Sequence, residues 1–577
     1  MSSASEKILH GSPISDGIAI GLSHLLQNPC QEPIPEFNIP SAHAEDEVER
    51  YRAAISSSRE ELVNLQASFI AADTPGDEAS IIDTHIQMLA DPIITTKVED
   101  QIRSRLQNTE AVFRSVISEY EEQFSKQKDA YFHQRLIDVR DVSQRILWHL
   151  RPKHKRELQT VPEGSVLFCH EIVPSDAAEA VRRKAAGFVT HCGGATSHTA
   201  LIAKSRGLPF VANVNLDIFQ EMEIGQVIID GFAGKVILNP SKKTLAKYKV
   251  LKNEHEQKSK RIVRSSKLAS KTKDGVLVDV MANIESLDDV HLVRKVGASG
   301  IGLFRSEYLF LEEETTMSEV RQAEVYQQII QDIGGLPVVF RLFDVGGDKD
   351  FHPAMAGQIN PALGCRAIRF LFKRPEILRT QLRALLRASA GVQLRILLPL
   401  ISDQTEVQML RKILFLEKRR LNDEGIETSE EILVGAMMEV PSAIMCADHL
   451  ALECDFFSIG TNDLTQYSFA IDRSDPLMQK EFQPAHPSML RMIEIVAKAS
   501  KNQQVPLSLC GDLAADQRFT KLLIGLGIRQ LSCPPRYIPF IKHAVRQTTL
   551  KEAEALAEKA LKLATFEELV ELLHSEG

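Results

Sequence analysis

No C-x-x-C pair occurs among the eight cysteines of this 577-residue chain, which fall at 30, 169, 192, 365, 446, 454, 510 and 533. That scatter argues against a disulfide framework or a zinc site and predicts reduced thiols. No run of eighteen apolar residues is present either, and the opening segment Met1–His10 has no apolar signal region. Both absences predict a cytoplasmic protein with no membrane insertion. A net charge of −9, without a basic patch interleaved with aromatics, gives no footing for nucleic acid. A glycine-rich phosphate loop of the Walker or kinase type is also missing.

What is present falls into regions of different period, and the length alone allows several domains with sizeable cores. Asp16-Gly17 and the apolar residues 18–22 predict a turn and a short strand. From 35 to 150 the period is helical. Val48, Tyr51, Ile55, Leu62, Leu65 and Phe69 make one stripe, and Thr74-Pro75-Gly76 ends it. Ile81, Ile82, Met88, Leu89, Val98 and Ile102 support a second helix, with Asp91-Pro92 as a kink or restart. Val112, Val116, Tyr120 and Phe124 make a third, and Tyr131, Leu136, Val139, Val142, Ile146 and Leu150 a fourth, which together predict a helical bundle. Between 160 and 240, short apolar runs at 165–168, 187–190, 210–212, 227–229 and 235–238 predict a compact α/β domain that the strand near residue 20 completes, so that the bundle is an insertion. Residues 241–275 carry twelve Lys and Arg against three acids and predict a solvated helical linker. Eight strand-like runs follow, at 276–284, 300–304, 338–343, 394–400, 432–438, 456–459, 507–509 and 530–532, alternating with helical patterns as a (β/α)₈ barrel requires.

Two places carry chemistry. Gly193-Gly194-Ala195-Thr196-Ser197-His198-Thr199-Ala200 is a sharp turn into a helix, with Thr196 and Ser197 able to cap and Gly207 before Pro209 to end it. His198 in the first turn meets free N–H groups and the positive dipole end, which suit an anion on the ring and disfavour imidazolium. On local pattern alone a histidine after a Gly-Gly turn is usually just a surface histidine, and the reactive reading is the minority one. In the barrel, polar residues gather at the ends of the second, third, fifth, sixth and seventh strands: Arg305, Arg341, Glu439, Asn462 with Asp463, and Cys510. Paired arginines and carboxylates suit a dianion with a hard metal, and they suit an internal salt-bridge network equally well.

Gly-Gly-x-Thr-Ser-His-Thr-Ala resembles the phosphohistidine signature of enzymes that exchange phosphoryl groups with phosphoenolpyruvate. In the barrel, Arg305, Arg341, Asn360-Pro361-Ala362-Leu363-Gly364-Cys365-Arg366, Met438-Glu439-Val440-Pro441, Ser458–Gln466, Asp472-Arg473 and Cys510-Gly511 are similar, in order, to motifs of enzyme I of the sugar phosphotransferase system. The resemblance implies a multidomain α/β chain. It has a phosphohistidine domain (1–34 and 151–240), a helical subdomain (35–150) that docks the phosphocarrier HPr, the linker (241–275) and a phosphoenolpyruvate-binding TIM-like barrel (276–577). It implies that His198 is the phosphoryl acceptor and that Glu439 and Asp463 ligate Mg²⁺. Arg305, Arg341, Asn462, Asp463 and Arg473 would bind phosphoenolpyruvate, with Arg366 a further phosphate contact and Cys510 the acid that protonates the departing enolate. A homodimer joined through the barrel is expected. Asp138-Val139-Arg140-Asp141-Val142 also fits the family pattern. Departures are Asp16 for a proline, Ala195 for arginine, Asp512 for glutamate and Cys365 for an aromatic. A dikinase-like enzyme and a non-turnover regulator sensing phosphoenolpyruvate are the alternatives.

Overall fold

The computed structural model describes residues 6–26, 36–71, 77–125, 130–151, 158, 161–194, 198–221, 224–307, 309, 317–345, 361–473, 478 and 481–576. Two compact units divide the chain, Met1–Lys258 and Ser259–Gly577.

The first unit is built on an eight-stranded sheet. Its strands are β1 (Lys7–His10), β2 (Ser12–Ser15), β3 (Ile18–Leu25), β4 (Val166–Cys169), β5 (Gly187–Thr190), β6 (Phe210–Ala212), β7 (Gln226–Asp230) and β8 (Lys235–Leu238), in the order β1-β8-β7-β3-β4-β5-β6-β2. β3 pairs antiparallel with β7 and parallel with β4, so the chain from 26 to 165 leaves the sheet and returns to the neighbouring position. β4 and β5 are buried along their whole lengths, the reading of a parallel strand covered on both faces. Leu167, Phe188 and Phe210 join one core, whereas Val166, Phe168, Val189 and Val211 join another on the opposite face. β1 and β2 were not foreseen. They close opposite edges of the sheet against β8 and β6, partners about two hundred residues away, and their Ser, Pro and His content shows no alternation.

Between β3 and β4 run the helices Ala44–Ala71, Asp77–Met88, Val98–Arg105, Thr109–Ser125 and Ala130–Leu150. The expected stripes are buried: Val48, Tyr51, Leu62 and Leu65, then Val112 and Val116, then Val139, Val142, Ile146 and Leu150. Phe69, Ile81, Phe124, Tyr131 and Leu136 have side chains outside the described residues, as does the break at Thr74-Pro75-Gly76. After Asp91-Pro92 the chain restarts through a π-helical turn, Ile93–Lys97, because Pro92 supplies no N–H to continue the helix before it.

Asp138 and Asp141, named in sequence only for their pattern, surround the buried His85. Its Nε2 lies 3.1 Å from Asp138 and its Nδ1 3.6 Å from Asp141. Asp141 also accepts the Ser175 N–H at 2.8 Å, which satisfies a free amide in the first turn of the helix Pro174–Arg182. Burial lowers the His85 pKa, but Asp141 and Asp138 outweigh it and the net direction is upward. A folded-state pKa above the ordinary value of about 6.5 means that the stabilisation is complete below that pH. It fades as pH rises through the raised value. His85→Gln is therefore expected to cost about 3–5 kcal/mol near pH 6, by removing the positive charge between two buried carboxylates, and less at each higher pH. Thermal melts of both proteins across that range measure it, and a penalty independent of pH contradicts the charged pair.

Lys242–Arg264 is the expected helix, and Ile262 is the one residue along it that is buried. The boundary between the units falls within it, and residues 265–275 are not a solvated linker. Lys273 N–H bonds the Thr548 carbonyl at 2.9 Å, Asp274 accepts the Leu550 N–H at 2.8 Å, and Ser266, Ser270 and Thr272 are buried. Their charge pattern hid this, because the contacts are made by backbone, small buried hydroxyls and the one carboxylate of Asp274 rather than by the lysines and arginines.

The second unit is a closed parallel barrel of β9 (Asp279–Ile284), β10 (Ile301–Arg305), β11 (Val338–Arg341), β12 (Leu394–Leu398), β13 (Ile432–Met438), β14 (Phe456–Ile459), β15 (Leu507–Leu509) and β16 (Gln530–Cys533), with β16 returning to β9. The eight expected strands are all found, to within three residues at their ends. Leu303, Val339, Leu397, Met437, Phe456 and Cys510 fill the interior, whereas Phe304, Phe340, Ile396, Met438, Phe457 and Leu509 pack outward. No helix among the described residues is long and apolar enough to cross a membrane.

Candidate active site

Strand parity sets the barrel mouth. Two residues beyond the inward Leu303, Val339 and Met437 stand Arg305, Arg341 and Glu439, so a period of two aims all three inward at the C-terminal ends of β10, β11 and β13. Arg305 and Arg341 are register partners across the β10–β11 ladder, which sets two guanidinium groups on adjacent strands.

A chain of buried charge pairs runs from these residues. Arg341 Nη2 donates to Glu307 at 2.6 Å, and its Nη1 lies 3.3 Å from Asp344. Asp344 takes a bidentate pair from Arg366 Nη2 at 2.9 and 3.0 Å. Arg366 Nη1 continues to Asp463 at 3.0 Å and to the Tyr467 hydroxyl at 3.1 Å, and Arg473 Nη1 stands 3.7 Å from the other Asp463 oxygen. Arg305 pairs with Glu285. Burial works against the charge on Arg341, but Glu307 and Asp344 hold its pKa above the ordinary arginine value. Of the two readings that residue types left equal, the salt-bridge network is what these contacts display.

The network does not satisfy every group. Arg305 Nε, Arg341 Nε, Glu307 Oε2 and Thr461 Oγ1 are buried and have no hydrogen-bond partner among the described residues. Leaving such an atom unpaired costs about 1–3 kcal/mol each, and a polar ligand at the mouth removes that cost. Arg366, by contrast, spends its donors on Asp344, Asp463 and Tyr467 and is buried. It clamps two carboxylates through these donors.

Glu439 is buried and accepts the Leu400 N–H at 2.7 Å. Leu400 presents that N–H from a left-handed backbone, φ 55°, which is unfavourable for a leucine and is held by the surrounding structure. Burial, with Asp463 and Asp344 nearby, pushes the Glu439 carboxyl well above the usual range despite Arg341. Asp463 goes the other way: burial would raise it, but Arg473 and Arg366 together hold it low. Gly460 belongs to this geometry because a Cβ there would lie 2.6 Å from Glu439 Oε2. A buried carboxylate pushed up by two others is a donor set that fits a divalent cation.

Cys510, just past the end of β15, is buried with its Sγ 3.6 Å from the Ile459 carbonyl. Burial raises the thiol pKa more than the neighbouring Ser458 hydroxyl lowers it, so the group stays protonated and able to give up a proton. Asn283 holds this turn, donating to the Cys510 carbonyl at 3.0 Å. Asn462 Oδ1 accepts the Asp512 N–H at 3.0 Å. Sequence reasoning named neither Glu307 nor Asp344 nor Tyr467 as a site residue. The signals were there: Glu307 shares inward parity with Arg305, Asp344 follows Arg341 by three, and Tyr467 lies one turn beyond Asp463 on the helix Thr461–Phe469.

In the first unit, β5 ends at Thr190 and the helix His198–Arg206 has His198 as its first residue. Thr199 Oγ1 donates to the Ile172 carbonyl at 2.7 Å, and Ala200, Ile202 and Ala203 are buried, so the first turn is anchored. Gly207 adopts φ 63° and Leu208 N–H reaches the Ala203 carbonyl at 2.9 Å, the left-handed stop expected there. Ala195, Thr196 and Ser197 lie outside the described residues, as do Asn360 and the segment after Val345.

A closed barrel with arginines and carboxylates gathered at its mouth, preceded by an α/β unit with a histidine at a helix start, defines a phosphoenolpyruvate-utilising enzyme. Family descriptions match accordingly: the PEP-utilising enzyme N-terminal region at residues 10–135, its mobile domain at 161–234 and its PEP-binding domain at 259–550. The chain belongs to the phosphoenolpyruvate-protein phosphotransferase family. It is 35% identical to the phosphoenolpyruvate-protein phosphotransferase of Listeria innocua, over 98% of this chain and 99% of that one. It is 34% identical to that of Staphylococcus carnosus, over 98% of each. An Enzyme I solution structure aligns with 43% of this chain and 99% of its own at 31% identity, with a TM-score of 0.37.

Proposed function

We propose that the enzyme moves the phosphoryl group of phosphoenolpyruvate onto its own His198 and then to a histidine of the phosphocarrier HPr, releasing pyruvate. The observation that carries this reading is the pair Arg305–Arg341. Two like charges stand in register on adjacent strands, each with a buried N–H lacking a partner among the described residues, an arrangement that a dianion bridging them would repay. Arg473 and Asn462 border the same mouth. Arg366 acts as a positioning residue through Asp344 and Asp463.

Neutral His198 attacks phosphorus in line, the phosphorus–oxygen bond to the enolate breaks, and the enolate takes its proton from the Cys510 thiol at the methylene carbon. Glu439 and Asp463 would hold Mg²⁺, which when bound supplies charge neutralisation for phosphate and enolate oxygens. Arg341 and Arg305 keep the substrate oriented while negative charge moves from phosphate to enolate. The helical segment 35–150 is the docking surface for HPr, and the segment 241–264 joins the nucleophile's unit to the substrate's. We place the protein in the cytoplasm as a homodimer joined through the barrel.

Pyruvate release with HPr, with ATP plus phosphate, and with neither tests the whole reading. Mg²⁺-dependent release with HPr alone is expected. Release driven by ATP and phosphate would instead indicate a dikinase-like enzyme, and none from folded protein a regulator. Cys510→Ala is expected to keep phosphorylation of His198 while slowing pyruvate formation about 10²-fold or more in a single turnover. Equal loss of both steps would remove Cys510 from the proton transfer.

A further inference from the structure

His170, His191 and Cys192 form the one group of three such side chains, among the described residues, whose ligand atoms come together: one ring nitrogen from each histidine and Sγ all lie within 4.8 Å of one another. Topology puts them there. His170 is the first residue past β4, and His191 and Cys192 are the first two past β5, strands that pair in parallel with Cys169 opposite Thr190. The ladder continues beyond the strand ends, because His191 N–H bonds the Cys169 carbonyl at 3.1 Å and Cys192 N–H the His170 carbonyl at 2.8 Å. The three side chains therefore leave a fixed backbone at the C-terminal edge of a parallel sheet, where α/β proteins place ligands.

The side-chain geometry points the same way. Cys192 Sγ is 4.0 Å from His170 Nε2, and the two imidazole rings lie 4.9 Å apart. His191 Nδ1 is 3.1 Å from the Val214 carbonyl, which can only accept, so Nδ1 carries the proton and Nε2 keeps the lone pair. Orienting a metal-binding histidine through a carbonyl on its other nitrogen is the usual outer support of such a ligand. Bonds of about 2.3 Å to sulfur and 2.0–2.1 Å to nitrogen at tetrahedral angles place S and N about 3.6 Å apart. A small closure from the observed 4.0 Å reaches that.

We propose that His170, His191 and Cys192 bind a thiophilic divalent cation of the Zn²⁺ class. Two imidazole nitrogens and one thiolate are its protein ligands, Cys192 gives its thiol proton to solvent on binding, and water or the adjacent carboxylate of Glu171 takes the fourth position. The donor set of two nitrogens and one sulfur separates this site from the oxygen donors Glu439 and Asp463 at the barrel mouth. Sequence reading dismissed a zinc site because it looked for paired cysteines. Here the ligands come from two strand ends twenty residues apart. A cation at this position would tie the end of β4 to the turn that begins the His198 segment.

Titration of the full-length protein, stripped of metal, with Co²⁺ and then Zn²⁺ tests this. One equivalent of Co²⁺ is expected to produce a thiolate-to-cobalt charge-transfer absorption in the near ultraviolet, which Zn²⁺ then displaces. Cys192→Ser should abolish that band, and His170→Ala should weaken Co²⁺ binding at least tenfold, while Cys446→Ser leaves both unchanged. All three positions are at least partly exposed, so folding is retained, as far-ultraviolet circular dichroism checks. Absence of the band in the unchanged protein, or its persistence in Cys192→Ser, overturns the proposal.

Discussion

A His198→Ala variant incubated with phosphoenolpyruvate labelled in its phosphate is expected to take up no label, while the unchanged chain takes up one equivalent. No other group replaces an imidazole as acceptor at this helix start, so the loss is complete rather than graded, at least about 10⁴-fold in rate when the nucleophile is removed. The fold should survive. Thr199 fixes the first turn through Ile172, and Ala200, Ile202 and Ala203 carry the helix's buried face. The unfolding free energy, read from melts, is therefore expected to change by about 0.5 kcal/mol or less. Label uptake equal to that of the unchanged chain would move the acceptor elsewhere, and the HPr step with it.

The second large effect is expected at Arg341, where structure and chemistry are joined. Arg341→Met keeps length and apolar stem but removes the fork that neutralises Glu307, while Asp344 keeps Arg366. Leaving the buried Glu307 charge without its cation costs about 3–5 kcal/mol. Removing a preorganised donor from the charge being transferred costs about 10²–10³ in rate. The two losses separate in a double variant. Arg341→Met with Glu307→Gln should recover much of the stability, because the stranded charge is gone, and none of the activity. Melting curves and initial rates of pyruvate release, compared for the single and double variants, read the two quantities independently. Activity recovered along with stability would mean that Arg341 serves the network alone.

The two units differ in how much of them the sequence displays. In the barrel, apolar runs of three to nine residues mark strands because each is largely buried on both sides, and the residues at or near the end of a run are the ones that reach the mouth. Arg305, Arg341, Glu439 and Cys510 could be located that way. Their partners were harder to see. Glu307 and Asp344 sit just beyond strand ends, where parity gives a direction but not a partner, and only closure of the barrel brings Asp344 against Arg366 and Arg366 against Asp463. Arg366 is the instructive case: its type and motif suggested phosphate, and its surroundings show it clamping Asp344 and Asp463. In the first unit the edge strands β1 and β2 were invisible for a related reason, since edge pairing depends on backbone groups and not on side-chain pattern.

What the sequence determined by itself is most of the elements and the family to which the chain belongs. Periods of 3.6 and 2 report which face of each element is apolar, and Gly207 marks where the helix His198–Arg206 stops. What only the tertiary structure decided is pairing: which carboxylate neutralises which arginine, that residues 265–275 belong to the barrel unit, and that His170 meets His191 and Cys192. Those facts depend on distances between residues remote in the chain, and burial then sets their energies, because a charge removed from water is worth what its nearest partner makes it.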